Sequence, residues 1–258
     1  MTLDCPVWRG TPGPVNTCAS LDWVRALAFH LWYLTHPLAS VGDALHMFEV
    51  AWRGTGAHGP YCTAPAPDYL GQGVLGQTAL AQDIRYQLLR LYCDRSTAIE
   101  TLLDPASHTK DRMDSRLGWL VGRVVGVLGY KHISEHALDR LHRDTASQAE
   151  RAGFWHWAVF VLQHIEDSGR RREAIEAVLD RNIANCDEEK ERFLVDDLGI
   201  PLKWVARARA TLARAQGRPR DRAENLLVAE RWVEAHEVVV KDIAPDCIIG
   251  QDYQYLNK

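Results

Sequence analysis

Long apolar runs are missing from this 258-residue sequence. The longest, Trp157–Leu162, is six residues, where a membrane-spanning helix needs about 20. Residues 1–20 carry prolines, Asp4 and Arg9 and no apolar stretch, so they do not read as a signal peptide. A strong charge of either sign is also absent. Thirty Lys and Arg face 34 Asp and Glu, a net charge of −4, which argues against wholesale electrostatic capture of nucleic acid or an anionic membrane. Together these absences read as a soluble intracellular chain.

Paired cysteine motifs are lacking as well. Cys5, Cys18, Cys62, Cys93, Cys186 and Cys247 stand at wide spacings with no C-x-x-C among them, so neither a zinc ribbon nor a thioredoxin-like dithiol is offered. A chain of this length can bury a core without cross-links, and reduced thiols are expected. β-Branched runs are nearly absent; Val238–Val240 stands alone, inside a helical pattern. There is no G-x-S-x-G, no Walker loop and no paired acidic motif for magnesium. No catalytic residue and no cofactor is therefore assigned.

What is present is helical periodicity. Trp23, Val24, Leu27, Ala28, Leu31 and Trp32 share one helical face, and His36-Pro37 ends it. Ser40 opens a second helix with Asp43 as capping-box partner, and Gly54 and Gly56 close it. Residues 53–78, with six glycines and three prolines, read as one long exposed loop. Further helices are expected over 80–93, 96–103, 113–128, 134–153, 154–165, 168–184, 187–198, 201–216, 221–230 and 232–241. The 154–165 segment is apolar on nearly every side, which predicts a position at the centre of the stack. The expected fold is all-α: residues 1–20 irregular, then one irregular α-solenoid of about twelve antiparallel helices over 21–258, without a sheet.

Several motifs invite chemistry. Gly71, Gly73 and Gly76 match G-x-G-x-x-G, but no strand precedes them and no parallel-sheet pattern exists, so they read as a glycine-rich loop. His132, Glu135 and His136 match H-x-x-E-H, yet Ser134 reads as an N-cap that leaves His132 outside the helix. No metal site is assigned. Gly118, Gly122 and Gly126 form a row that would let a neighbouring helix approach closely. Arg170–Arg172 and the basic residues from Lys203 to Arg222 raise the alternative of a helical RNA-binding adaptor. No aromatic residues interleave with them as single-strand platforms require, so a solvated face or a protein contact is the better reading. Candidate partner-binding residues are Lys203, Trp204, Arg207, Arg214 and Trp232. For Trp204 and Trp232 a core position is the more ordinary expectation.

Six collinear segments carry a resemblance: Leu21–Leu34 (LDWVRALAFHLWYL), Leu128–Ser134 (LGYKHIS), Gly153–Ile165 (GFWHWAVFVLQHI), Ile200–Val205 (IPLKWV), Ala229–Trp232 (AERW) and Tyr253–Leu256 (YQYL). Together they resemble the nucleoporin 96 family over roughly Leu21 to Leu256. The resemblance implies a helical element shared with vesicle-coat scaffolds, folded back as trunk, crown and tail, and no enzymatic activity. It implies membership of the Y-shaped outer-ring complex of the nuclear pore at the nuclear envelope, with 160-type and 107-type nucleoporin solenoids as partners. Pore assembly, mRNA export and protein transport would be its roles. The family's N-terminal region, whose strands complete a small β-propeller shared with the COPII coat, has no counterpart here, so the resemblance does not carry that contact over. Phenylalanine-glycine repeats are absent too.

Overall fold

The computed structural model describes residues 18, 20–55, 60–71, 81–130 and 133–250. Among them every regular element is helical and none is a strand, so the fold is all-α. They fall into two compact units, divided between Ala137 and Leu138.

In the first unit, α1 (Trp23–Phe29) runs on into a π-helical turn, His30–Leu34. Asp22 caps it, its carboxylate accepting from the Arg25 N–H at 2.7 Å. Ser40 opens α2 (Val41–Arg53) with the expected capping box. The Asp43 N–H donates to the Ser40 hydroxyl, and the Asp43 carboxylate accepts from the Ser40 N–H. Gly54, at φ 68°, ends the helix in the left-handed region that a side chain would strain. α3 (Ile84–Cys93), α4 (Ile99–Leu103) and α5 (Arg116–Val127) follow. α6 (Glu135–Arg151) begins at the Ser134 cap, whose hydroxyl accepts from the Ala137 N–H, and from Leu138 on belongs to the second unit.

The stretch expected as an exposed loop is partly core. Cys62–Pro67 is buried, and its polar groups are supplied by neighbours. The Tyr61 N–H donates to the Ala51 carbonyl and the Asp83 N–H to the Pro65 carbonyl. Proline and glycine forbid a helix there but not burial, provided the backbone finds partners. Trp23, Phe48, Trp52, Cys62 and Tyr86 meet in one core cluster.

The second unit holds α7 (Trp155–Leu162), α8 (Ser168–Asn182) and α9 (Glu188–Arg192), which runs into a π turn, Phe193–Asp197. Next come α10 (Leu202–Ala215) and α11 (Pro219–Val228). α12 (Trp232–Val238) passes through a third π turn, Val239–Ile243, into α13 (Ala244–Ile249). The helical pattern expected to stop at Lys241 therefore continues. Pro245 lacks an N–H and would clash inside an ordinary helix; here it falls in the first turn after the π segment.

α7 departs from its expected all-round burial. Trp155, Ala158, Val159, Val161 and Leu162 are buried, but Phe154 is exposed and Trp157 keeps 47% of its surface. On α10 the buried set is Val205, Ala206, Ala208, Ala210 and Ala213, with Trp204 and Leu212 half-buried and Ala215 exposed. The packed face therefore runs along Val205, Ala206, Ala208, Ala210 and Ala213. Four of its five residues are alanine, the small side chain that lets α8 and α11 come close.

Candidate partner-binding surface

The five candidate residues lie on α10 and at the start of α12 in the second unit. α8 packs against α10 and supplies the counter-charges of Arg207. The Arg207 guanidinium donates to Asp180 at 3.0 Å and approaches Glu176 at 3.7 Å. Glu176 also accepts from Arg172 at 2.9 Å, and Arg172 lies over the Trp204 ring, 5.5 Å from its centroid. Trp204, Arg172, Glu176, Arg207 and Asp180 therefore form one continuous strip, held by ion pairs and a cation–π contact.

Lys203 pairs across a short reach with Glu230 at 3.5 Å. Glu230 ends α11 at φ 59°, left-handed for a residue with a side chain. Two residues on, Trp232 is 63% exposed, with Val233, Leu227 and Val228 exposed around it in sequence. The core expectation for Trp232 is overturned, and Trp204 is half-buried rather than core. Trp232 stands at the first position of its helix, where the packed face has not yet begun. Arg214 is exposed two turns beyond Arg207 and has no ion-pair partner among the described residues. The structure thus joins Trp204 and Arg207 through the α8 strip, sets Lys203 against Glu230 two residues before Trp232, and leaves Arg214 apart.

The basic residues are mostly spent within the chain. Arg170 donates to Asp139 at 2.7 Å, Arg209 makes a two-pronged pair with Glu191 at 2.9 and 2.6 Å, Arg218 pairs with Asp221, and Arg222 with Asp242. Hydrogen bonding to Glu191 pushes the Arg209 guanidinium further up. Each carboxylate so engaged lowers the positive potential a phosphate would meet.

Periodicity did not reveal two further features. The first is an aromatic ridge on α7: Trp157 packs at 5.0 Å on Phe193 and 5.9 Å on Phe160, with Phe154 exposed beside it in sequence. The second, in the first unit, is an apolar face of α5. Leu117, Leu120, Val124, Val127 and Leu128 are exposed, Val127 at 83%, while Gly118, Gly122 and Val125 on the other side are buried. The glycine row was the available signal: where a helix packs by glycine, its larger apolar residues are left outside. Trp32, 76% exposed, and Tyr33 project from the π turn after α1.

Gly71 has φ 75°, while Gly73 and Gly76 lie outside the described residues, as does His132 of the H-x-x-E-H match. Among the described residues no group of three or more His, Cys, Asp or Glu could hold a metal, and no helix is long and apolar enough to cross a membrane.

Fold and surface define a class first: an all-α protein whose exposed features are ridges on helices, with charges paired internally. The comparisons narrow it. The family model for Nuclear protein 96 matches residues 8–212. Over 261 aligned residues the chain is 38% identical to Nuclear pore complex protein Nup98-Nup96 of Drosophila melanogaster, covering 100% of this chain and 13% of that protein. It is 28% identical to the Nup98-Nup96 protein of Caenorhabditis elegans, over 94% of this chain and 13% of that one, and 22% identical to Nuclear pore complex protein NUP96 of Arabidopsis thaliana, over 91% and 23%. The chain belongs to the nucleoporin 96 family. It spans only about 13% of the length of the first two relatives.

Proposed function

We propose that this chain is a non-enzymatic scaffold segment of the outer ring of the nuclear pore complex, the Y-complex, at the nuclear envelope. It acts through contacts with other helical nucleoporins, the 160-type and 107-type solenoids, with residues 21–258 serving as one helical scaffold region. Pore assembly, mRNA export and protein transport would depend on it through that architecture. The observation that carries this reading is the match along the whole chain to relatives named as nuclear pore complex proteins. The exposed ridges supply a physical means: helix faces offering aromatic and branched side chains are what a partner helix buries. Lys203, Trp204, Arg207, Arg214 and Trp232 are proposed contact residues, Trp232 foremost because it is both large and exposed.

Retention of purified partners on the immobilised chain tests the reading. Specific capture of a 160-type or 107-type solenoid is the expected outcome. A chain that shows helical circular dichroism yet retains neither overturns it.

A further inference from the structure

Cys18 and Cys62 are far apart in sequence, yet both are completely buried in one core cluster of the first unit. Their segments are tied together by backbone geometry. The Leu21 N–H donates to the Cys18 carbonyl at 3.2 Å, and the Thr63 hydroxyl donates to the Leu21 carbonyl at 3.3 Å. The two sulfurs share a hydrogen bond and both residues are thiols. The bond to Cys18 and burial hold the Cys62 thiol above the ordinary range, while the bond to Cys62 lowers Cys18. Among the described residues the other cysteines have different surroundings: Cys93 is exposed, Cys186 half-buried, and Cys247 lies in the core of the second unit.

We propose that Cys18 and Cys62 form a reversible oxidation site, closed by a small-molecule disulfide into an intrachain cross-link that ties the start of α1 to the buried 62–67 stretch. In the first step the Cys18 thiolate attacks one sulfur of the oxidant, forming a mixed disulfide and expelling one thiolate. Cys62 then loses its proton and attacks the Cys18 Sγ, forming the intrachain bond and expelling the second. The two protons lost by the cysteines pass to the two leaving thiolates, and two electrons pass from the cysteine pair to the oxidant. Thiol–disulfide exchange with a reducing pool runs the same steps backward. Because both sulfurs are buried, reaction proceeds through local opening of the structure around them. The cross-link closes a loop containing α1 and α2 and so restricts the unfolded chain.

The 258-residue chain, incubated folded with oxidised glutathione, alkylated and digested without reductant, tests this by peptide mapping. The expected result is a Cys18–Cys62 peptide as the main intrachain cross-link. A melting temperature higher by about 5 °C or more should accompany it, and dithiothreitol should reverse both. Cys93→Ser with Cys186→Ser should leave cross-link and shift intact, whereas Cys62→Ala should remove them. Absence of the Cys18–Cys62 peptide overturns the proposal, as does linkage of either cysteine to Cys5, Cys93, Cys186 or Cys247 to the same extent. Mapping the unaltered chain needs no variant, so a poorly folding substitution cannot obscure the outcome.

Discussion

A Cβ placed on Gly118 would lie 2.5 Å from the backbone carbonyl oxygen of Leu103. The α5 backbone therefore touches the end of α4, a contact only glycine permits. Gly118→Ala must push one element away. The cost of overpacking, about 1–3 kcal/mol, should exceed the ~1 kcal/mol that alanine returns in helix propensity. Gly126, in the same row, meets nothing within 4 Å. Gly126→Ala should thus stabilise by up to about 1 kcal/mol. Urea unfolding of the two variants should show shifts of opposite sign; a Gly118→Ala variant as stable as the parent or more so would mean that the close approach is dispensable.

The same contact explains why α5 presents Leu120 and Val127 to solvent. Changing both to serine removes apolar surface that the fold does not bury, so melting should move by no more than about 0.5 kcal/mol for each. If this face docks a helical partner, retention of that partner should fall by tenfold or more. Equilibrium binding with the double variant measures it, and unchanged affinity would assign the partner to another face.

Helix ends were legible in the sequence because caps are local chemistry. Ser40 with Asp43, Ser134, Gly54 and Gly153 all mark ends where the structure has them. The choice of face was not local. On α5 two apolar sides compete, and the glycine side wins because it lets backbone approach backbone. On α7 an all-apolar helix gives periodicity nothing to resolve, and Trp157 falls outside. The Cys62–Pro67 stretch has loop composition but a buried position, since its Pro65 carbonyl is met by the Asp83 N–H, well along the sequence. The π turns widen the helix without changing residue type, so a period of 3.6 passes over them. The candidate surface was only half legible: Trp204 and Arg207 do join one strip, but the α8 carboxylates that neutralise Arg207 could be found only by knowing which helices pack.

Trp232 and Trp157 should separate folding from binding. Both are large and exposed, so Trp232→Ala should cost little stability, within about 0.5 kcal/mol. Trp157→Ala should cost somewhat more, since it also loses its contacts with Phe193 and Phe160. A tryptophan that anchors a partner is worth about 2 kcal/mol or more of binding, roughly a 30-fold loss on truncation. Calorimetric titration of a captured partner against each variant decides which ridge is used.

Acid should weaken the first unit through His30. The ring is fully buried, 2.7 Å from the Ala26 carbonyl through Nδ1 and 3.4 Å from the Tyr61 hydroxyl through Nε2. A carbonyl only accepts, so Nδ1 carries the proton and Nε2 is left to accept from Tyr61. Burial holds the imidazole below its ordinary range, only partly opposed by the Ala26 bond. The unfolded chain, in contrast, takes up the proton near the ordinary value of about 6.5. Below that value the unfolded state binds more protons, so stability rises with pH in this window and is lost as pH falls through it. His108 and His156, also lowered by burial, act in the same direction. Urea midpoints should therefore be flat above about pH 7 and decline below about pH 6.5, and His30→Gln should make that decline shallower without abolishing it. The ring resonances of His30 should titrate below about 6.5; titration at or above that value would mean that the folded state accepts the proton at no cost, and that the decline has another source.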